Sequence, residues 1–401
     1  MNILFIDTGL PMPDRASADL RMFTIVKLLV GQGHQCHYFV INFALWSIKA
    51  SPADLIRYRN LIEELGIQIH TENLDRILLS YDFNVIYFKY FYPAEKTIHS
   101  IRMLQPNARM VIDSVDIIYA RLFTKAKLEN NTDYFIEAEC IKYRELRTYA
   151  QADLIVTITP EDTDILLQDL SDINTFIIPN IHEIHASDDE KTPFPSLIFI
   201  GIFSHEPNVD AVLYFYREIW PAIVKKHPDC HWFIIGGKPP PEIQSLACSN
   251  IEVIGYVPET LPYLKKSWIS IAPLRFGAGM KGKVGEAMAA GIPVVTTDFG
   301  AQGLDVINGE QLLVASTANE YAEQVNNLIV DSQKRKHIGD KGLLFIESHY
   351  STQAVSVILD KFINKLEKLP TKRSSLYSKF YRFSRRLKLW LDQHIMWHFN
   401  R

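Results

Sequence analysis

Cysteine is scarce in this sequence and carries no pattern. Cys36, Cys140, Cys230 and Cys248 stand apart, with no CxxC pair and no zinc-ligand spacing, which argues against a disulfide framework and points to reduced thiols. The thirteen histidines include no pair at metal-binding spacing, so no metal site is expected. Long apolar runs are missing too. Residues 3–6 are apolar, but Asp7 ends that run, too soon for the core of a secretion signal, and no stretch approaches the roughly 18 apolar residues of a membrane span. A cytoplasmic location is the expectation. Positive charge is also in short supply. The 42 Lys and Arg face 46 Asp and Glu, a net charge of −4, which argues against nucleic-acid binding by the body of the chain.

What is present is the composition of a globular chain, 47% apolar and 22% charged over 401 residues, long enough for two domains with separate cores. Short β-branched runs alternate with longer amphipathic stretches. In the first half they fall at residues 3–6, 36–41, 85–88, 109–113, 154–158 and 176–178, and the rhythm restarts at 197–200, 231–235, 251–254, 268–272, 294–297 and 311–314. This alternation predicts an α/β fold of two open parallel sheets covered by helices. Pro179 and Asn180 close the first half, and the polar stretch running to Pro193 and Pro195 reads as a linker. The expected organisation is a first Rossmann-like domain over 1–184, a linker over 185–195, a second such domain over 196–346, a helix over 347–370 crossing back to the first domain, and a tail over 371–401. Ligands of such sheets sit beyond the carboxyl ends of the strands. Two in series place the site in the cleft where those edges face each other.

The densest chemistry lies between Ala272 and Thr297. A strand ends at Ala272, a loop with Gly277, Gly279 and Gly282 follows, and a short helix is expected over 284–290 with Gly291 at its end. Glycines let the backbone approach a ligand, and amides at a helix N-terminus favour an anion. Arg275, Lys281 and Lys283 add positive charge, so the arrangement suits a diphosphate. Glu286, in the first turn, is placed to accept hydrogen bonds from ribose hydroxyls. A lone Gly-rich loop is more often a plain turn with a solvated edge. Three glycines, three cations and a carboxylate between a strand and a helix reverse those odds.

This stretch resembles the donor-site motif of family 4 retaining glycosyltransferases with the GT-B fold, in the branch that reads G-x-G-x-K-x-K-x-x-E followed by A-M-A-x-G-x-P-V-V. Residues 199–211 are similar to the first strand, loop and helix start of that family's donor domain, and Gly255, Tyr256 and Val257 to its base-contacting loop. Residues 13–22 with Gly33 and His34 resemble the N-terminal loop and helix, and Asp113 to Asp116 the acceptor-side loop. The resemblance covers roughly residues 1–365. It implies that Glu286 binds the ribose and that Lys283 and Lys281 hold the pyrophosphate and stabilise the leaving diphosphate without a metal. It also departs from the family. Ala278 stands where many members carry Glu, Ile202 and Pro207 where they carry Arg and Lys, and Val115 where an acceptor-side His is common. His205 and Asn208 are left as the polar groups near the first donor-domain strand.

Three further positions are weighed on both sides. Arg15, beside Asp14, can grip phosphate or an acceptor anion as a planar fork, or be an ordinary surface pair. Asp116 and Asp113, at a strand end, can position or deprotonate an acceptor hydroxyl, or simply make a turn. Gln302, after the 294–297 strand, can touch donor hydroxyls or belong to a plain loop.

From Thr371 onward the composition changes. Eight Lys and Arg face Asp392 alone, a formal +7 that leaves −11 on the rest of the chain. Leu376, Phe380, Phe383, Leu387 and Trp390 recur at helical spacing, with Ile395 and Trp397 beyond them. This is a basic amphipathic helix, suited to an anionic membrane surface or to docking on the acidic body.

The reading is an enzyme that moves a sugar from a nucleoside diphosphate sugar to a glycan, lipid-linked or other hydroxyl acceptor, with no cofactor. The alternatives are a nucleotide-sugar epimerase of the same architecture and a noncatalytic nucleotide-sugar-binding subunit.

Overall fold

The computed structural model describes residues 1–185, 191–277, 279–370 and 376–394. Ala278, the middle of the expected linker and both ends of the basic tail, including Ile395 and Trp397, lie outside the described residues.

The first unit holds a seven-stranded sheet of β1 (Asn2–Asp7), β2 (Gln35–Val40), β3 (Gln68–His70), β4 (Val85–Lys89), β5 (Arg109–Asp113), β6 (Leu154–Thr157) and β7 (Thr175–Ile177). Its order is β3-β2-β1-β4-β5-β6-β7, and every pairing is parallel. Strands such as β4 are buried along their whole length because helices cover both faces of the sheet. Sequence reading omits β3. That strand is a three-residue edge element, Gln68–His70, and the His70 imidazole meets that of His37 on β2 at 3.0 Å. Three residues give no measurable alternation.

The second unit repeats the design in six parallel strands, β8 (Ser196–Ile200), β9 (His231–Ile235), β10 (Ile251–Gly255), β11 (Ile269–Ala272), β12 (Val294–Thr296) and β13 (Leu313–Val314). Its order is β10-β9-β8-β11-β12-β13. In both units the strand order reverses beside the first strand, and the crevice above that switch point is where open α/β sheets bind ligands.

The units meet along those crevices. Val115 and Ile158 of the first pack into one apolar cluster with Met280, Val284 and Leu304 of the second. Asn180, leaving the first unit, donates from Nδ2 to the Met280 carbonyl at 3.1 Å. The helix Thr352–Lys368 buries Val355, Leu359, Phe362 and Leu366 in the core built by Ile3, Phe5 and Val85. It thus ties the end of the body to the first sheet. The helix Leu376–His394 lies on the first unit, against the helices Leu74–Ser80 and Phe91–Leu104.

Candidate active site

The loop after β11 leads into the helix Gly282–Ala289, which starts two residues earlier than expected because Lys281 takes the extended N-cap conformation. Gly277 and Gly279 both have positive φ, 142° and 65°, a backbone that side chains beyond Cβ rarely tolerate. Gly282 is needed for a different reason. A Cβ there would fall 2.5 Å from the Ser17 Cβ, at the start of the first unit's helix Ser17–Gly31. Two helix N-termini therefore face one another across the cleft.

Lys283 extends from the first turn of Gly282–Ala289 to the first turn of the helix Glu206–Tyr214. Its ammonium donates to the Asn208 Oδ1 and lies 4.4 Å from the centre of the Phe199 ring. Burial, with Lys281 adding repulsion, lowers the Lys283 pKa to about 7. Lys281 is likewise lowered by burial, to about 8, against the pull of Asp116 and Asp162. Glu286 accepts a hydrogen bond from the Thr260 hydroxyl, and burial raises its pKa. The site is thus a pair of cations held at reduced charge in a desolvated cradle. An anion brought against them would favour their charged forms.

On the facing side, Asp116 carries a 2.7 Å ion pair from its Oδ2 to Arg121. The Asp116 Oδ1 is buried and has no partner among the described residues. Val115 beside it is β-branched yet adopts φ 57°, a strained conformation that costs on the order of 1–3 kcal/mol. Asp162, in the first turn of the helix Pro160–Asp169, escaped the sequence reading. Its Oδ2 is buried with no partner among the described residues, and a Cβ on Gly279 would come within 3.8 Å of it. Burial raises the Asp162 pKa to about 6. No sequence signal marks it, since Pro160–Asp162 reads as an ordinary helix start.

Three of the expected residues are committed to partners outside the site, and three others stay beside it. Arg275 is paired with Asp210 through two hydrogen bonds and lies over the Tyr214 ring, so it is committed to the helix Glu206–Tyr214. Arg15 donates to Asp54 at 2.6 Å and lies 5.6 Å and 5.5 Å from the ring centres of Tyr58 and Tyr256. It braces the cleft through Tyr256, whose hydroxyl donates to Asp14. Asp113 is fully buried and bonded to Arg21 and to the Tyr87 hydroxyl, each at 2.6 Å, which makes it a core ion-pair partner and leaves no oxygen facing an acceptor. His205 is the N-cap of Glu206–Tyr214 without a side-chain cap bond, and it faces the cleft, where burial and the charges of Arg121, Lys283 and Lys281 push its pKa down to about 4 against the pull of Asp116. Val257 is buried in the loop after β10, and Gln302 ends the short helix Asp298–Ala301 with a buried Oε1 that has no partner among the described residues. Among the described residues no group of three His, Cys, Asp or Glu side chains is arranged to hold a metal.

Residues 194–331, which include the whole Lys283–Asn208–Glu286 arrangement, match the family model described as Glycosyl transferases group 1. The match lies within the second unit. An uncharacterized 44.6 kDa protein in the cps region of Klebsiella pneumoniae is 20% identical, over 88% of this chain and 97% of its own length. Sucrose-phosphate synthase from Thermosynechococcus elongatus superimposes with a TM-score of 0.69 at 14% identity, covering 92% of this chain and 99% of that one. Anabaena HepE, solved with UDP and glucose, does so with a TM-score of 0.66 at 14% identity, covering 91% and 100%. The chain therefore has the GT-B fold of these structures, with the matched stretch in the second unit and the first unit closing the cleft.

Proposed function

We propose that this protein is a glycosyltransferase that moves a sugar from a nucleoside diphosphate sugar to a hydroxyl acceptor with retention of anomeric configuration and without a metal ion, in glycan or glycoconjugate synthesis. The observation that carries the proposal is the desolvated pair Lys281 and Lys283 at the N-terminus of Gly282–Ala289, one turn from Glu286. The diphosphate lies against the helix amides and the two ammonium groups, whose full charge matters most when the leaving group carries its charge after the glycosidic bond breaks. The Glu286 carboxylate, oriented by Thr260, receives the ribose hydroxyls. Asp116 and Asp162 line the facing side, where the acceptor hydroxyl enters and a carboxylate oxygen orients it. The complex of HepE with UDP and glucose makes UDP sugars the first donors to examine.

The deciding experiment is a thermal-shift panel of UDP, GDP, dTDP and ADP sugars, followed by proton NMR of the product formed from the stabilising donor, since a ligand that binds only the native state raises its melting temperature. A product with the donor's anomeric configuration supports the proposal. Inversion overturns the stereochemical part. An isomeric nucleotide sugar formed without acceptor identifies an epimerase, and tight binding without turnover on any acceptor identifies a binding subunit.

A further inference from the structure

The helix Leu376–His394 has two opposed faces. One face is docked on the first unit. Tyr381 packs against that unit's apolar cluster, Arg382 pairs with Asp82 at 3.0 Å and Arg385 with Asp75 at 3.3 Å, and Ser378 is buried. The other face carries Phe380, Phe383, Leu387 and Trp390, spaced three, four and three residues apart, and these side chains are 69%, 64%, 46% and 54% exposed. At 100° per residue all four fall on one side of the helix. Lys379 and Arg386 flank that stripe on one side and Lys388 on the other, all exposed. Beside it opens a groove of about 380 Å³ between this helix and Leu74–Ser80, lined by Arg76, Ser80, Arg386, Leu79, Leu389 and Trp390.

A helix that only needed to dock on an acidic body would present its cations inward and its outer face as polar. Here two arginines do pair inward, yet large apolar side chains are left facing out, where isolated soluble proteins rarely line up so many. A second copy of the chain fits this face badly, because its cations would meet their own counterparts. A surface that is apolar within and anionic at its rim fits both patterns. Nucleic acid answers the charge and leaves the stripe unsatisfied.

We propose that the outer face of Leu376–His394 is a docking surface for an anionic lipid bilayer, with Phe380, Phe383, Leu387 and Trp390 in the headgroup boundary and the Arg76–Arg386 groove taking a lipid phosphate. The inner face is locked to the first unit, so the contact holds that unit at the membrane in one orientation. This inference stands independently of the donor chemistry proposed above.

The test uses the full chain and vesicle co-sedimentation, with phosphatidylcholine alone or mixed equally with phosphatidylglycerol. The wild-type protein is expected to partition at least about tenfold more strongly onto the anionic vesicles, less so as salt rises. The double variant Phe380→Ser/Phe383→Ser and the double variant Lys379→Glu/Arg386→Glu each lower that partition about tenfold, with melting temperature and turnover on a soluble acceptor unchanged. Millimolar glycerol phosphate does not compete. Four results would overturn the proposal: wild-type protein that stays in the supernatant, variants that sediment like wild type, competition by free glycerol phosphate that abolishes sedimentation, or a wild-type dimer that Phe380→Ser/Phe383→Ser splits with no vesicle binding at all.

Discussion

The ammonium of Lys283 is held by the side-chain carbonyl of Asn208, so that the first turns of two helices on opposite sides of β8 are joined through one hydrogen bond. The cradle is tight: a Cβ on Gly201 would fall 2.8 Å from both the Lys283 Nζ and the Asn208 Cγ. A cation kept this close to an aromatic ring and a neutral amide has given up water, and with Lys281 repelling it and Glu286 offsetting only part of the loss its pKa falls to about 7.

Proton uptake on binding follows from that state. Near pH 8 the free protein holds Lys283 largely neutral and Lys281, at about 8, half charged, whereas the complex with a diphosphate holds both charged. Binding therefore takes up protons, and affinity falls as pH rises above about 7, with a limiting slope of about one decade per pH unit for each lysine. Calorimetric titration with the preferred nucleoside diphosphate in two buffers of different ionisation enthalpy measures the uptake directly. Binding that is proton-neutral at pH 8 would show that the lysines do not touch the phosphates.

Asp162 gives a prediction in stability. Its pKa rises from 3.8 to about 6 because burial disfavours the carboxylate, so between those values the folded state binds more protons than the unfolded one. Stability accordingly falls as pH climbs through that window, and the cost persists at neutral pH. Asp162→Asn is expected to raise the melting temperature at neutral pH, an advantage of on the order of 1 kcal/mol or more that disappears below about pH 4. The same change removes a charge that supports Lys281, so the alkaline limb of the turnover profile shifts to lower pH. A melting temperature unchanged at both pH values contradicts the assignment of an unpaired buried carboxylate.

Chelation separates two ways of holding a diphosphate. Since two lysines and a helix N-terminus provide the positive charge, turnover is expected to survive EDTA with less than about a twofold change, a small fraction of the several kcal/mol that a catalytic metal contributes. Loss on chelation and recovery with Mg²⁺ or Mn²⁺ would contradict this.

The glycine- and lysine-rich side of the cleft was legible in the sequence because its parts are local. Gly277, Gly279, Lys281, Lys283 and Glu286 lie within one loop and the helix Gly282–Ala289 that follows it, where Glu286 falls just past the first turn in which it was expected, and the strand before them is plainly apolar. Both sheets were readable from β-branched runs, apart from the three-residue edge strand Gln68–His70. What the sequence hides is made by closure. Asp162 becomes a cleft residue only because the helix Pro160–Asp169 folds against Gly279, more than a hundred positions away. Arg15 and Arg275 were placed in the right loops, yet their partners Asp54, Tyr256 and Asp210 sit on separate elements, and those pairings decide where the guanidinium groups point. Asp113 misled for the same reason, since its partner Arg21 reaches it from the helix Ser17–Gly31.

The most direct measurement is the affinity of the preferred nucleoside diphosphate for the wild-type protein, Lys283→Ala and Glu286→Ala, titrated in EDTA near pH 7, together with turnover of the corresponding sugar donor. Each variant is expected to keep the wild-type melting temperature, to bind more weakly, and to lose one to two decades in kcat/KM, the value of a charge-assisted contact of about 1.5–3 kcal/mol. Wild-type affinity and turnover in both variants would contradict the account, because the diphosphate and the ribose would then lie away from the helix Gly282–Ala289.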